Sequence, residues 1–350
     1  MIPVVDAHND LLLELVLRAD EENPFATAWL PQLRAGAVAL QICPVYAADA
    51  GEAARGVVDA QIAAFERAAG ENADEVVQIR SAGDLDGLDG RLGLMLSMEG
   101  VEALHGDPEA FGELWDAGVR MVSLTWNYAN PFAGGIDAPE QGLTAAGREL
   151  VGSFAERGVV LDLAHASEPT YFEALDAASG AQVVVSHAGC RGVHDHVRNV
   201  SDDQLRALAE RGGVLGMMAL TLTVGRDGAS LGRYLEHLDY AVDLIGIDHV
   251  ALGSDFIDQV IQAELAAGCP LNPSTQEALD LGGGRLAIKE LVGPADYPAL
   301  LESLRGRGYD GERLEAIAHG NLLRVLRAGL PDDSSLNGLL PIKATPGGPA

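Results

Sequence analysis

The chain contains little cysteine and almost no lysine. Its 350 residues include 3 cysteines, too few for a disulfide-rich scaffold, so we predict free thiols in a reducing compartment. Lysine and arginine number 23 against 52 for aspartate and glutamate, which gives a formal net charge of −29. Nucleic acid and an anionic membrane surface both require a cationic patch on a protein partner. The charge therefore argues against both partners and indicates a highly soluble protein, adapted to high salt or encoded by a high-GC genome.

The chain also has no long apolar run. No apolar stretch reaches about 18 residues without a charge, so we predict no membrane-spanning helix. The opening segment, Met1-Ile2-Pro3-Val4-Val5-Asp6, lacks the basic and apolar regions of a secretory signal. These features together predict a cytoplasmic location.

Eight short apolar runs rich in β-branched residues recur along the chain, and segments of helical periodicity separate them. The predicted strands are Pro3–His8, Ala39–Tyr46, Leu92–Glu99, Arg120–Trp126, Val159–His165, Gln182–His187, Gly213–Leu220 and His249–Asp255. Ser201 with Gln204 forms a predicted capping box, and Ser167 is a predicted helix N-cap. Eightfold strand–helix alternation predicts an α/β protein with a (β/α)8 TIM barrel.

A doubly wound open sheet is the alternative, but that fold usually has a glycine-rich turn after its first strand. This chain has His8-Asn9-Asp10 there instead. We predict one barrel domain over residues 1–328 and a Pro/Gly/Ser-rich C-terminal tail over 329–350. Glycine and proline clusters predict a loop over residues 256–285.

Ionisable side chains stand at the ends of the predicted strands. They are His8, Asp10, Glu99, His165, His187 and Asp255. Active sites of such barrels lie at the carboxyl ends of the strands. His8 and Asp10, two residues apart on one strand, would point to the same side. Each residue alone could be structural, but burying six such groups together without an ion costs several kcal/mol for each unpaired charge.

The donor types indicate which ion would bind. Imidazole nitrogens and carboxylate oxygens, without thiolates, suit zinc or another divalent metal. Three histidines and three carboxylates exceed the needs of one tetrahedral site, which favours a two-metal centre. There is no Gly-x-Ser-x-Gly motif, and no cysteine lies in a convincing nucleophile context, so covalent catalysis is not expected. The remaining six histidines are predicted to have no chemical role.

The order of the motifs carries a family resemblance. The motifs are Asp6-Ala7-His8-Asn9-Asp10, Ser97-Met98-Glu99-Gly100, Leu163-Ala164-His165, Val185-Ser186-His187, Arg198-Asn199-Val200 and Gly253-Ser254-Asp255-Phe256. In this order they resemble the membrane (renal) dipeptidase family of zinc metallopeptidases, over residues 1 to about 328. The resemblance implies an amidohydrolase-like TIM barrel that binds two Zn²⁺ ions. His8 and Asp10 would bind one ion and His165 and His187 the other, with Glu99 as the bridge.

The resemblance also implies an activity. The chain would be a zinc-dependent dipeptidase, often accepting L,D-dipeptides, in which a hydroxide bridging the metals attacks the peptide bond. Asp255 would carry protons, and Arg198 would bind the carboxylate end of a small dipeptide-like substrate. Family members are commonly dimers, which implies a homodimer.

One position departs from the family pattern. The family's fourth strand usually ends Leu-Thr-His, with the histidine contacting substrate, whereas this chain has Leu124-Thr125-Trp126. An indole donates one hydrogen bond but carries no proton. Trp126 in the substrate site therefore leaves two alternatives open. One is a metal-dependent hydrolase of another small amide or lactam. The other is a catalytically silent metal-binding homologue, against which Asp255 argues.

Overall fold

The computed structural model describes residues 1–48, 50–225, 228–281 and 283–333, and its strands in these ranges form one parallel sheet. The strands are β1 Val4–Asp6, β2 Val38–Tyr46, β3 Val76–Gln78, β4 Leu92–Glu99, β5 Val119–Ser123, β6 Val160–Asp162, β7 Val183–Ala188, β8 Val214–Met217 and β9 Val250–Leu252. All except β3 close into a ring in the order β2-β1-β9-β8-β7-β6-β5-β4, and β4 pairs back to β2. The predicted (β/α)8 barrel is confirmed.

Strand β3 is an addition that the sequence did not predict. It pairs with the start of β4, from Val76 opposite Leu92, while β5 pairs with β4 only from Leu96 onward. β3 therefore supplies hydrogen-bond partners for the backbone groups at the start of β4, which β5 does not reach. Its three residues are too few to show a periodicity.

Several strands end earlier than predicted. β1, β5, β6 and β9 end two or three residues short of His8, Trp126, His165 and Asp255, and β8 ends at Met217 rather than Leu220. Aspartates explain two of these ends. The carboxylate of Asp6 accepts a hydrogen bond from the His8 N–H, and that of Asp162 accepts one from the Ala164 N–H. When an aspartate side chain accepts a hydrogen bond from the backbone N–H two residues further along the chain, the backbone forms a turn and the hydrogen bonding between strands ends.

Helices connect the strands around the outside of the barrel. They are α1 Leu11–Leu17, α2 Pro24–Ala28, α3 Leu30–Ala35, α4 Ala54–Glu71, α5 Ala82–Asp86, α6 Phe111–Ala117, α7 Ala145–Gly152, α8 Phe154–Arg157, α9 Glu168–Ala177, α10 Asp202–Glu210, α11 Thr221–Val224, α12 Leu231–Ile245, α13 Asp258–Ala267, α14 Pro273–Leu281, α15 Tyr297–Gly306, α16 Gly311–Glu315 and α17 Asn321–Gly329. Both predicted caps are confirmed: Ser167 caps α9, and Ser201 with Gln204 forms a capping box on α10. None of these helices has the length and apolar composition needed to cross a membrane.

The loop predicted over residues 256–285 is wrong, because α13 and α14 occupy most of it. Gly268 takes a left-handed φ of 75° and ends α13. The side chain of Asn272 then accepts a hydrogen bond from the Thr275 N–H, which caps the next helix. The glycine and proline residues therefore mark a turn between two helices. Gly282 lies outside the described residues.

The barrel interior is closed at its amino-terminal end by α17. Leu322, Val325 and Leu326 of this helix pack with inward-facing strand residues such as Val5 and Leu40. Leu330 joins the same cluster just after the helix. Residues 334–350 of the predicted tail lie outside the described residues, and the division at residue 328 stays a prediction.

Candidate active site

Six ionisable side chains meet at the carboxyl end of the barrel. Glu99 ends β4 and His187 lies on β7, while the other four lie in the loops that follow β1, β6 and β9. These four are His8, Asp10, His165 and Asp255. All six are buried, with between 1% and 7% of their surface exposed. His8 and Asp10 converge through a tight turn into α1, and not through strand alternation as predicted.

Glu99 stands at the middle of the cluster. Its Oε2 lies 3.6 Å from His8 Nε2. Its Oε1 lies 2.9 Å from His165 Nε2 and 3.6 Å from His187 Nε2. The two carboxylate oxygens therefore face two different groups of ligand-type atoms, which is the arrangement of a bridging carboxylate.

Hydrogen bonds fix the protonated nitrogen of two histidine rings. Nδ1 of His165 donates to the Asn127 Oδ1 at 2.7 Å. The Ser186 hydroxyl donates to Asp162 at 2.5 Å, so it accepts from Nδ1 of His187 at 2.7 Å. Burial holds the pKa of both histidines well below the ordinary range, which keeps them neutral.

The two neutral histidines therefore hold their unprotonated nitrogens in an unfavourable contact, which a bound cation would relieve. Nε2 of His165 lies 2.9 Å from Nε2 of His187, and both nitrogens carry lone pairs because their protons reside on Nδ1. Both also face the same oxygen of Glu99. Such a convergence of unprotonated donors is what metal binding requires.

The other side of Glu99 holds a second group of donors. Nε2 of His8 is buried without a hydrogen-bond partner. It lies 3.6 Å from Asp10 Oδ1 and 3.9 Å from Asp255 Oδ1, as well as 3.6 Å from Glu99. Ligands at about 2.1 Å around a tetrahedral zinc ion lie about 3.4 Å from one another. These spacings are close to that value and longer than hydrogen bonds.

Electrostatics also favour a cation. Burial and the neighbouring carboxylates raise the pKa of Glu99 to about 8 and that of Asp255 to about 7. Burial alone would lower the pKa of His8, but Glu99, Asp10 and Asp255 outweigh it and raise the value to about 10. The cluster thus brings three carboxyl groups together among buried side chains, where a cation would offset the cost of ionising them. The donor set fits a pair of divalent cations.

Two members of the cluster have unusual backbones. His165 has a φ of 63° and Asp255 a φ of 58°, in the left-handed region that residues other than glycine seldom adopt. Such conformations cost about 1–3 kcal/mol each and cluster at active sites. Here they turn both side chains towards Glu99 at the strand ends.

Arg198 and Trp126 border the cluster. Arg198 is buried, and its Nη2 donates to the backbone oxygen of His187 at 3.2 Å. Trp126 packs edge-on against Tyr46 and Tyr128, with ring centroids 5.4 Å and 5.1 Å away. Both residues line a cavity of about 410 Å³ that opens above Glu99. The structure therefore places both predicted substrate residues beside the predicted ligands.

Sequence reasoning missed the residues that orient the histidines. The sequence patterns give Asn127 and Ser186 no role. Asp162 accepts a hydrogen bond within the loop after β6 and also reaches His187 through Ser186. The available signal in the sequence was a polar residue directly beside a motif residue: Ser186 precedes His187, and Asn127 follows Trp126. Among the described residues, the other six histidines lie outside the cluster.

Comparisons with known proteins point to one family. A family model for membrane dipeptidase (peptidase family M19) matches residues 1–266. Dipeptidase aclJ of Aspergillus oryzae is 30% identical over 356 residues, which span 93% of this chain and 78% of that protein. A solved M19 metallopeptidase, dipeptidase AC, shares the fold with a TM-score of 0.81 and 24% identity, covering 94% and 99% of the two chains. A Rhodobacter sphaeroides metallopeptidase, liganded with a phosphinate mimic of the dipeptide L-Ala-D-Ala, has a TM-score of 0.80 at 24% identity, with the same coverage.

Proposed function

The chain belongs to the membrane dipeptidase family of metallopeptidases (peptidase family M19), and from this premise we propose that it is a two-zinc dipeptidase acting at the cluster around Glu99. The observation that carries the proposal is the division of donors between the two oxygens of Glu99. One oxygen faces His8, and the other faces the paired Nε2 atoms of His165 and His187.

The proposed ligands divide into two sets. His8 and Asp10 would hold one ion, His165 and His187 would hold the other, and Glu99 would offer a carboxylate oxygen to each. Bound there, the ions would supply an activated water nucleophile and polarise the scissile carbonyl. Zinc is proposed because the donors are imidazole and carboxylate, although another divalent ion fits the same set.

Three further side chains have proposed roles in the reaction. Asp255 lies beside His8 and lines the cavity, so it is placed to take a proton at its carboxylate and return it to the leaving amine. Arg198 binds the free carboxylate of the dipeptide, because its guanidinium offers several donors at the cavity wall. Trp126 offers an indole N–H to the substrate but no exchangeable charge.

Metal analysis combined with a dipeptide screen tests the proposal. We expect about two divalent ions per chain and hydrolysis of members of an L,L and L,D panel. The complex of the Rhodobacter protein with a mimic of L-Ala-D-Ala motivates the L,D members. Glu99→Gln should lose metal and activity together. Glu312→Gln, at an exposed position on α16, should retain both. Metal-loaded protein that cleaves no member of the panel would overturn the proposal.

A second candidate function is favoured by Trp126. An indole in place of an ionisable side chain at the cavity wall would suit hydrolysis of another small amide or lactam. Trp126→His separates the two candidates. A rise in dipeptide cleavage by orders of magnitude would indicate that dipeptides are not the natural substrates. No change or a fall would support the dipeptidase.

The homodimer implied by the resemblance and the cytoplasmic location predicted from the sequence stay predictions. Size-exclusion chromatography with light scattering would test the first. Fractionation of the source cells would test the second.

A further inference from the structure

The cavity above Glu99 has two unlike sides. Its volume of about 410 Å³ lies within the range of about 300–1,000 Å³ typical of small-molecule sites. One side carries the proposed ligands together with Asp255 and Arg198. The opposite side comes from the segment that follows β8 and from the residues beyond Asp255 in the segment that follows β9, and these residues have no role in the proposed chemistry.

Apolar side chains dominate this opposite side. We call α13 and α14, with the flanking residues Ile257 and Leu286, the cap. Ile257, Ile261, Leu271 and Leu286 of the cap line the cavity, together with Leu220 and Leu222 from the segment after β8. A wall of branched aliphatic side chains facing a water-accessible cavity favours binding of an apolar group, because burying that group removes apolar surface from water.

Hydrogen bonds hold the cap in place at its base. The carboxylate of Asp258, at the start of α13, accepts hydrogen bonds from the backbone N–H groups of Leu286 and Ala287 at 2.7 Å and 3.2 Å. The Thr221 N–H donates to the Leu286 carbonyl at 2.7 Å. The Asp258 bonds join the two ends of the cap to each other, and the Thr221 bond joins the end at Leu286 to the segment after β8. The apolar wall is thus formed before any ligand arrives, which lowers the entropic cost of binding.

The aromatic pair Trp126 and Tyr46 adds to the apolar surface of the same cavity. Leu222 is partly exposed and belongs to no packed hydrophobic cluster among the described residues. Its side chain contributes to the cavity wall without being needed for core packing. Leu222 is therefore the best position at which to test what the wall does.

We propose that the cap and Leu222 form a side-chain subsite that selects dipeptides carrying one bulky apolar residue, of the leucine, methionine or phenylalanine class. This inference rests on the proposed dipeptidase function. A glycine or alanine side chain would leave the wall in contact with water, whereas a leucine side chain would cover it. One methylene in an apolar pocket changes kcat/KM by about 10–200-fold, so a leucine substrate should exceed its glycine counterpart by at least tenfold.

Glu264 gives the subsite a second selectivity. It is the charged residue of the cap in the cavity lining, three residues beyond Ile261 on the same face of α13. A carboxylate in this wall repels an acidic substrate side chain, so dipeptides containing aspartate or glutamate belong among the poor substrates.

The test is a matched set of dipeptides on zinc-loaded enzyme. Gly-Gly, Leu-Gly, Gly-Leu, Asp-Gly and Gly-Asp would be compared by kcat/KM, which scans both substrate positions. We expect one leucine peptide to exceed Gly-Gly by at least tenfold, and the aspartate peptides to be no better than Gly-Gly. Equal rates for glycine and leucine peptides would overturn the subsite while leaving the dipeptidase intact. Hydrolysis of none of them, nor of the wider panel, would instead count against the proposed function.

Variants of Leu222 and Leu265 test whether the apolar wall causes the selectivity. Leu222→Ser should reduce kcat/KM for the preferred leucine peptide about tenfold more than it reduces kcat/KM for Gly-Gly, while Leu222→Met should retain the preference. Leu265→Ser is the matched control, since Leu265 is 46% exposed on α13 and does not line the cavity. A loss that is equal for leucine and glycine peptides in Leu222→Ser would contradict the proposal.

Discussion

His187 is oriented by two successive hydrogen bonds that end on a buried carboxylate. Its Nδ1 donates to Ser186, whose hydroxyl donates to Asp162. Asp162 also accepts hydrogen bonds from the backbone N–H groups of Ala164 and Ser186, so it is fixed between β6 and β7. A ligand held in this way presents its other nitrogen in one orientation and one protonation state.

Removing the Ser186 hydroxyl should therefore weaken metal binding. We expect Ser186→Ala to lower zinc affinity by about 10–100-fold, the usual effect of losing a group that orients a ligand. Competition with a chromophoric chelator measures this directly. Ser97→Ala is the matched control, because the Ser97 hydroxyl is equally buried but has no hydrogen-bond partner. Equal affinities in the two variants would show that the Ser186 contact does not orient His187.

His237 is a buried histidine outside the site. Its Nδ1 accepts a hydrogen bond from the Cys190 N–H at 2.9 Å, and its Nε2 donates to the Val224 carbonyl at 3.1 Å. Burial lowers the pKa of His237 to about 4, from an ordinary value of 6.5. Arg233 and His194 lower this pKa further, whereas the Val224 carbonyl and Glu236 raise it. The folded state therefore holds this ring neutral.

The neutral ring should make stability depend on pH. Above pH 6.5 the ring is neutral in both folded and unfolded chains, so it adds no dependence. As the pH falls from 6.5 to about 4 the unfolded chain binds the proton first, and folding loses up to roughly 3 kcal/mol. The unfolding free energy of His237→Asn, followed against pH by urea titration, should fall less steeply than that of the natural chain over this interval. Parallel curves would contradict the assignment.

The types and order of the residues were enough to predict that six ionisable side chains cluster at one end of the barrel. The six ionisable residues were found because each follows an apolar run in a chain with eight such runs, and parallel strands share one carboxyl end. Asn127 and Ser186 could not be found in this way. Their roles depend on ring orientation, which arises only when loops after different strands meet.

At the scale of elements, the strands were predictable because β-branched runs are long enough to show in the sequence. The strand ends were not, since side chains such as that of Asp6 determine them through hydrogen bonds. The cap was missed because its turn residues, among them Gly268 and Pro270, resemble those of a loop. Helix α13 is stabilised by contact with the main core through Val260, and α14 is stabilised by the packing of Leu279 with Ile261.

The hydrogen bonds that the Asp258 carboxylate accepts should control the stability of the cap. Asp258→Ala leaves the Leu286 and Ala287 N–H groups without their acceptor, which costs about 1–3 kcal/mol. We expect faster hydrogen exchange in α13 and α14, with little change in the barrel strands. Asp280→Ala, at an exposed position on α14, should leave exchange unaltered. Faster exchange throughout the barrel would mean that the cap is not a separate unit.

Helix α17 should contribute strongly to global stability, because it fills one end of the barrel. Leu326 is fully buried there, and Leu326→Ala should lower the unfolding free energy by about 2–5 kcal/mol in urea titration. Leu17→Ala, at a position 38% exposed on α1, should cost less than about 1 kcal/mol. Similar losses in both variants would exclude a special role for this helix.

At the scale of the whole molecule, the excess of acidic residues dominates. A net charge of −29 produces repulsion among carboxylates that the basic residues only partly offset. Ion pairs such as Arg55 with Asp59 are exposed, and each contributes at most about 1 kcal/mol. Stability therefore depends on how well the solvent screens the surface.

Salt should accordingly raise the melting temperature. Going from about 0.1 M to about 1 M sodium chloride shortens the Debye length from roughly 10 Å to roughly 3 Å, which weakens the repulsion. Differential scanning calorimetry at neutral pH should show a progressive increase in Tm. A constant or falling Tm would mean that carboxylate repulsion does not limit stability.

The closure of the ring between its first and last strands has a consequence for biosynthesis. Asp6 on β1 pairs with Leu252 on β9, and the side chains of residues 8 and 255 meet only after this pairing. A chain that ends before β9 would hold only part of the donor set. Binding of the proposed ions at the complete site should thus require the segment that follows β9, and a product truncated before β9 should bind them poorly.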